Sequence, residues 1–166
     1  MIFVSHMEAQ SQECQNEDVV LVSLLNSMCY ESKVLSAGRH HFSFYSQPLI
    51  LQGIHGDVRA ALGNISFNAV NHNPDGAEIK VNIQLHENGI MIVIADDGVG
   101  MQVDEIPKIT ERFYRGDNSR NSKSGGSGLG LAIAKHALTR ANASLNIISR
   151  PGQGATFECL FPLHTN

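Results

Sequence analysis

Apolar positions along this chain repeat with two periods. Between 19 and 36, Val19, Leu21, Leu24, Leu25, Met28 and Leu35 follow the three-and-four spacing of a helix, closed by Gly38. "HFSFYS" (41–46) alternates as a strand does. Residues 56–72 return to helical spacing, with Val58, Leu62, Ile65 and Ala69 on the core side and a stop before Pro74. "IKVNIQL" (79–85) and "IMIVIA" (90–95) alternate on either side of "HENG", which predicts a hairpin turning at Asn88-Gly89. Residues 129–140 read as a third helix. "SLNIIS" (144–149) and "ATFECLFP" (155–162) read as a second hairpin. Helices set between hairpins imply an α+β fold: a two-layer α/β sandwich with one mixed sheet and the helices on one face.

The 166 residues are enough for one domain with a real core, and 42% hydrophobic with 17% charged residues is ordinary for a folded chain. A formal net charge of −4 argues against general nucleic-acid binding, so a phosphate ligand needs local donors. The 8 histidines and three cysteines (Cys14, Cys29, Cys159) form no metal-ligand spacing, and an odd number of separated thiols suits a reducing compartment. No apolar run reaches the roughly 20 residues of a membrane span. Residues 1–17 are expected to be a leader, disordered or carried over from cloning, ahead of a single domain at 18–166.

The polar positions carry the candidate chemistry. Asn64, Asn68 and Asn71 fall within about 60° of one another on helix 56–72, and Asp57 shares their stripe. Asparagine is a poor helix former, so three in register point either to a hard cation held by amide oxygens or to a merely polar surface. After strand 90–95 comes "DDGVG" (96–100), and "GGSGLGL" (125–131) opens the third helix. These are neither a P-loop nor a dinucleotide-binding fingerprint. A carboxylate at Asp96 can accept from an exocyclic amine, with glycines that let a flat ring approach. The bland alternative is an Asx-capped turn. Free N–H groups at the start of helix 129–140 suit an anion, where the alternative is a linker.

Together these stretches resemble the ATP-binding catalytic domain of sensor histidine kinases, whose Bergerat fold is shared with gyrase, Hsp90 and MutL. The N box is similar to "NISFNAVNH" (64–72) and the G1 box to "DDGVG". The F box is similar to "ERFYR" (111–115), the G2 box to "GGSGLGLAI" (125–133) and the last glycine-rich box to "GQGATF" (152–157). The wording around "NAVNHNPDG" resembles the phosphate-regulon kinases, so phosphate sensing is the implied signal. The resemblance implies that Asp96 accepts from adenine, that Gly98 and Gly100 line the purine, and that Thr156 lies close by. It implies ATP and Mg²⁺ as cofactors, with Asn64 and Asn68 on the metal and Asn64 in the catalytic set. Gly126, Ser127, Gly128, Leu129 and Gly130 would cradle the phosphates, and Arg115 would meet the γ-phosphate. Phe113 and Tyr114 would anchor a lid over about 101–127, mobile without nucleotide. Many relatives have Lys and Tyr where this chain has Asn71 and His72. Asn71 can still bond a phosphate, and His72 can still stack.

No H box follows Ser5-His6-Met7-Glu8, so the phosphoacceptor histidine is expected on a separate dimerisation domain, with a response regulator as the next partner. The implied setting is the cytoplasmic part of a bacterial inner-membrane receptor. Two other classes stay open. An ATP-hydrolysing machine or a serine kinase of the same fold would carry Glu at position 64, where Asn cannot take a proton. A nucleotide-sensing adaptor would bind without chemistry.

Overall fold

The computed structural model describes residues 17–110 and 130–162. Three helices and two hairpins fall where the sequence puts them, and the remainder differs in detail. Strand β1 (Glu17–Val20) leads directly into helix α1 (Leu21–Ser36). Glu17 therefore belongs to the folded unit rather than to the leader. Val19 is buried as a strand residue rather than a helical one, and Leu35 is exposed. Helix α1 ends where Ala37 (φ 52°) and Gly38 (φ 83°) turn left-handed. Strand β2 (His41–Ser46) follows. Strand β3 (Ile50–Gly53) then pairs antiparallel with β1 in a small two-stranded sheet that the sequence pattern does not reveal.

Helix α2 (His55–His72) is the central helix. It buries Val58, Ala61, Leu62, Ile65, Ser66, Ala69 and Val70, which widens the expected apolar stripe by one row. Full burial of a side chain such as Leu62 or Ile65 contributes about 1.5–3 kcal/mol each. Strands β4 (Glu78–His86) and β5 (Gly89–Asp96) form the first hairpin. His86 pairs with Gly89, so the two loop residues are Glu87 and Asn88 rather than Asn88 and Gly89. A Cβ on Gly89 would lie 2.0 Å from the Phe161 carbonyl oxygen, so this glycine serves the contact with the next strand instead of the turn.

After a 3₁₀ turn at Val103–Glu105, the described chain resumes in helix α3 (Gly130–Arg140), then β6 (Ser144–Ser149) and β7 (Ala155–Pro162). The main sheet has the order β2-β4-β5-β7-β6. The β2–β4 pair is parallel and the other three are antiparallel. Alternate strand residues, including Ile79, Val81, Ile92, Ile94, Phe157 and Phe161, share one buried cluster with Leu24, Leu62 and Leu138 of the helices. All three helices thus cover the same sheet face, as expected. None of the described helices is long and apolar enough to cross a membrane.

Candidate functional site

The last turns of α2 and the loop leaving β5 meet at one end of the sandwich. Asp96 ends β5 on the helix-facing side, because Ile92 and Ile94 precede it at the strand period. Its Oδ1 accepts the Gly98 N–H at 3.0 Å, an Asx turn that fixes the rotamer. Burial raises the Asp96 pKa above the ordinary carboxylate value. The Gly98 N–H, the Asn73 amide, the His72 ring and the Ala155 backbone offset part of that rise. A partly dehydrated acceptor of this kind gains more from a donor than an exposed one does.

The loop glycines are required first by the protein's own packing. A Cβ on Gly98 would lie 1.8 Å from Asn73 Oδ1. One on Gly100 (φ +69°) would lie 1.9 Å from the Arg150 carbonyl oxygen, and one on Gly154 (φ +74°) 1.9 Å from the Asp96 carbonyl oxygen. The "DDGVG" loop and the "GQGATF" turn are therefore stacked on one another. His72 Nε2 donates to the Gly100 carbonyl at 3.2 Å, which ties the end of α2 to the same loop.

Asn73 is a site residue that the pattern of apolar positions missed. It is 2% exposed. Its Oδ1 accepts the Val99 N–H at 2.9 Å while its Nδ2 donates to the Ala69 carbonyl at 2.9 Å. The available signal was its place before Pro74. A residue there is driven out of helical geometry, and its amide is then free to bond outside the helix.

The three asparagines divide. Asn64 Nδ2 donates to the Ala60 carbonyl at 2.7 Å, so Oδ1 is the outward atom. That oxygen lies 3.5 Å from where a Cβ on Gly130 would sit, so the start of α3 faces the asparagine row. Asn68 is half-buried beside it. Asn71 Nδ2 is buried without a partner among the described residues, an orphaned donor that suits an anionic oxygen. Amide oxygens at 64 and 68 and a free amide N–H at 71 fit a metal-bound polyphosphate in their donor set. Asp57, on the same stripe, lies two turns away and makes an ion pair with Arg140 (Nε–Oδ2 3.4 Å) instead. A cavity of about 90 Å³ lined by Gly53, Asp57, Arg140 and Phe161 lies at that other end and includes none of the expected site residues.

Ala155 stands opposite Asp96, and Thr156 stands opposite Ala95. Directly paired residues share a sheet face, so Thr156 projects away from the helices and from the Asp96 side chain. The start of the expected lid is held down: Met101 is 4% exposed and its N–H donates to Ser149 Oγ at 2.9 Å, while Ile109 packs on the core. Arg115, Phe113, Tyr114, Gly126, Ser127, Gly128 and Leu129 lie outside the described residues.

Residues 53–165 match the family described as "Histidine kinase-, DNA gyrase B-, and HSP90-like ATPase". The chain is 41% identical over 163 residues to the phosphate regulon sensor protein PhoR of Pseudomonas aeruginosa, covering 97% of this chain and 37% of that protein. It thus spans little more than a third of that relative's length. Among solved structures, it is similar to the mycobacterial sensor histidine kinase MprB (TM-score 0.78, 24% identity, 88% of this chain and 97% of that one). It is also similar to full-length ShkA in complex with AMPPNP (TM-score 0.77, 22% identity, 91% of this chain and 32% of that one). The fold agrees with these matches, and the chain belongs to the histidine kinase-, DNA gyrase B- and HSP90-like ATPase family.

Proposed function

We propose that this chain is the catalytic nucleotide domain of a membrane-anchored sensor kinase of the phosphate-regulon type. In this reading it binds ATP with Mg²⁺ and passes the γ-phosphate to a histidine on a separate dimerisation domain, from which a response regulator takes it. The observation that carries the reading is Asp96: a half-buried carboxylate of raised pKa at the end of β5, its rotamer fixed by the Gly98 N–H, beside the last turn of α2. The nucleotide bound in the ShkA structure and the phosphate-regulon relative support the ligand and the signal.

The roles follow from the donors and acceptors. Asp96 accepts the adenine amine, with Gly98, Gly100 and the His72 ring on the base side. Asn71 donates to a phosphate oxygen through its orphaned N–H. Asn64 and Asn68 would hold the metal through their amide oxygens, and bound Mg²⁺ neutralises phosphate charge. The backbone N–H groups of Gly126, Ser127, Gly128, Leu129 and Gly130 are assigned to the phosphates, and the Arg115 guanidinium to the γ-phosphoryl group. The incoming nucleophile is a neutral imidazole nitrogen. It forms a bond to the γ-phosphorus as the bond to the ADP oxygen breaks. Asn64 has no basic atom with which to activate water, so hydrolysis by the chain alone is slow.

The test is γ-labelled ATP with the chain alone and with a separate histidine-bearing helical domain of the parent kinase. Acid-labile label on the added domain, with little free phosphate from the chain alone, is expected. Rapid hydrolysis by the lone chain, or acid-stable label on serine or threonine, overturns the reading.

A further inference from the structure

We infer that His40, which lies outside every glycine and asparagine motif, is a positioning residue for the base end of the nucleotide site and acts through Asn73; the inference rests on the nucleotide reading of the Asp96 loop. His40 sits in the turn between α1 and β2 and is 6% exposed. Its Nε2 is 2.7 Å from the Asn73 carbonyl oxygen. A carbonyl only accepts, so Nε2 carries the hydrogen and the ring is the Nε2–H tautomer. Nδ1 is buried with no partner among the described residues. Among the described residues the ring thus has one hydrogen-bond partner, Asn73.

Asn73 needs an outside anchor. It has left helical geometry (φ −122°, ψ 68°), so the α2 ladder no longer fixes its backbone. Its carbonyl takes the His40 N–H and the Gly76 N–H (2.9 Å). The same turn of chain grips its neighbours: Arg39 Nη1 donates to the Pro74 carbonyl at 2.7 Å, and the Arg39 carbonyl lies 2.3 Å from where a Cβ on Gly76 would sit. With its main chain held from one side, Asn73 presents its amide to the other. There Oδ1 holds the Val99 N–H, packs against Gly98, and the amide acts on the Asp96 carboxylate. The path His40–Asn73–Val99/Asp96 is thus made of a buried and a part-buried hydrogen bond in series. A shift of Asn73 by a fraction of an ångström is felt directly where the base amine is read.

The test compares His40→Phe, which keeps a flat ring and removes the donor, with His40→Gln, whose amide N–H can reach the same carbonyl. Amide exchange is measured at Val99 and at Ile94, a core residue one bond network away. In His40→Phe, Val99 exchange is expected to rise about tenfold relative to Ile94, and ATP affinity to fall about three- to tenfold, the scale of one buried hydrogen bond. His40→Gln is expected to restore both. Adding His40→Phe to Asn73→Ala should produce no further loss, because His40 acts only through Asn73. An unchanged Val99-to-Ile94 ratio and unchanged ATP affinity in His40→Phe overturn the inference, as does equal loosening of both amides in Phe and Gln variants alike. A wild-type chain that binds no ATP would count against the nucleotide reading alone, because the Val99 measurement needs no ligand.

Discussion

Replacing Asp96 with Asn changes two atoms' chemistry and leaves the shape alone, and the structure fixes what the change does. Gly98 N–H donates to Oδ1 at 3.0 Å and requires an acceptor there. In the Asn variant the amide oxygen must fill that role, so the NH₂ group takes the place of the other carboxylate oxygen. The wild-type carboxylate gains a charge-assisted bond from adenine's amine, worth about 1.5–3 kcal/mol. Against guanine it faces a carbonyl lone pair and gains nothing. ATP is therefore expected to outcompete GTP by about 10- to 100-fold, at tenfold per 1.4 kcal/mol. In the variant the NH₂ opposes adenine's amine and matches guanine's oxygen, so ATP affinity should drop about tenfold or more and the preference should invert. The assay is displacement of a fluorescent ATP analogue by each nucleotide.

The same substitution has a pH signature. Burial raises the Asp96 pKa in the folded state, so the folded chain binds this proton more readily than the unfolded chain. The associated stability is fully present below the unfolded pKa and is lost as pH rises through the folded value. Asp96→Asn should remove that loss, so without ligand it should melt no lower than wild type at neutral pH. Equal competition by GTP on the wild type, or an Asn variant that keeps the ATP preference, refutes the reasoning.

Gly98→Ala is expected to cost about 1–3 kcal/mol of stability, because its Cβ would lie 1.8 Å from Asn73 Oδ1; Asn73→Ala in the same chain should recover part of it in a melting double-mutant cycle. Asn68→Ala should weaken ATP binding about tenfold with magnesium present and little without it, read by calorimetry in both buffers; equal loss in both counts against the metal role. Burial pushes the Cys159 thiol up to about 12, so iodoacetamide at pH 8 should leave it unmodified in the native chain and label it once denatured, as mass spectrometry reads.

The helices and both hairpins were legible because each carries a long periodic signal: Val58, Leu62, Ile65 and Ala69 on α2, and Ile90, Ile92 and Ile94 on β5. The β1–β3 pair was not, since four residues in each strand are too few to show a period, and Val19 fits a helical spacing as well as a strand. Asp96 and the glycines were legible as a cluster, but the reason for each glycine was not. Gly98 and Gly100 are filled against Asn73 and Arg150, residues 25 and 50 positions away, which no local pattern encodes. The motif's spacing is read in one dimension and does not show that strand alternation puts Ala155 and Thr156 on opposite faces. His40 and Asn73 escaped for a related reason: a lone histidine and an asparagine before a proline have no sequence partner, only a spatial one.

The small β1–β3 sheet makes α2 a lever. Glu17 pairs with Gly53, and its carboxylate also accepts the His55 N–H, so the strand that begins the described chain is fastened to the first turn of α2. The helix has 18 residues, about 27 Å of stiff rod at 1.5 Å per residue. A tilt of about 5° about the packed middle of that rod would move each end by about 1 Å. The far half carries Asn68 through Asn73, including the groups that set the Asp96 loop. Torque applied at Glu17 therefore arrives, reversed in direction, at the residues assigned to the ligand, while the core at mid-helix, with Asn64, acts as the fulcrum and moves least.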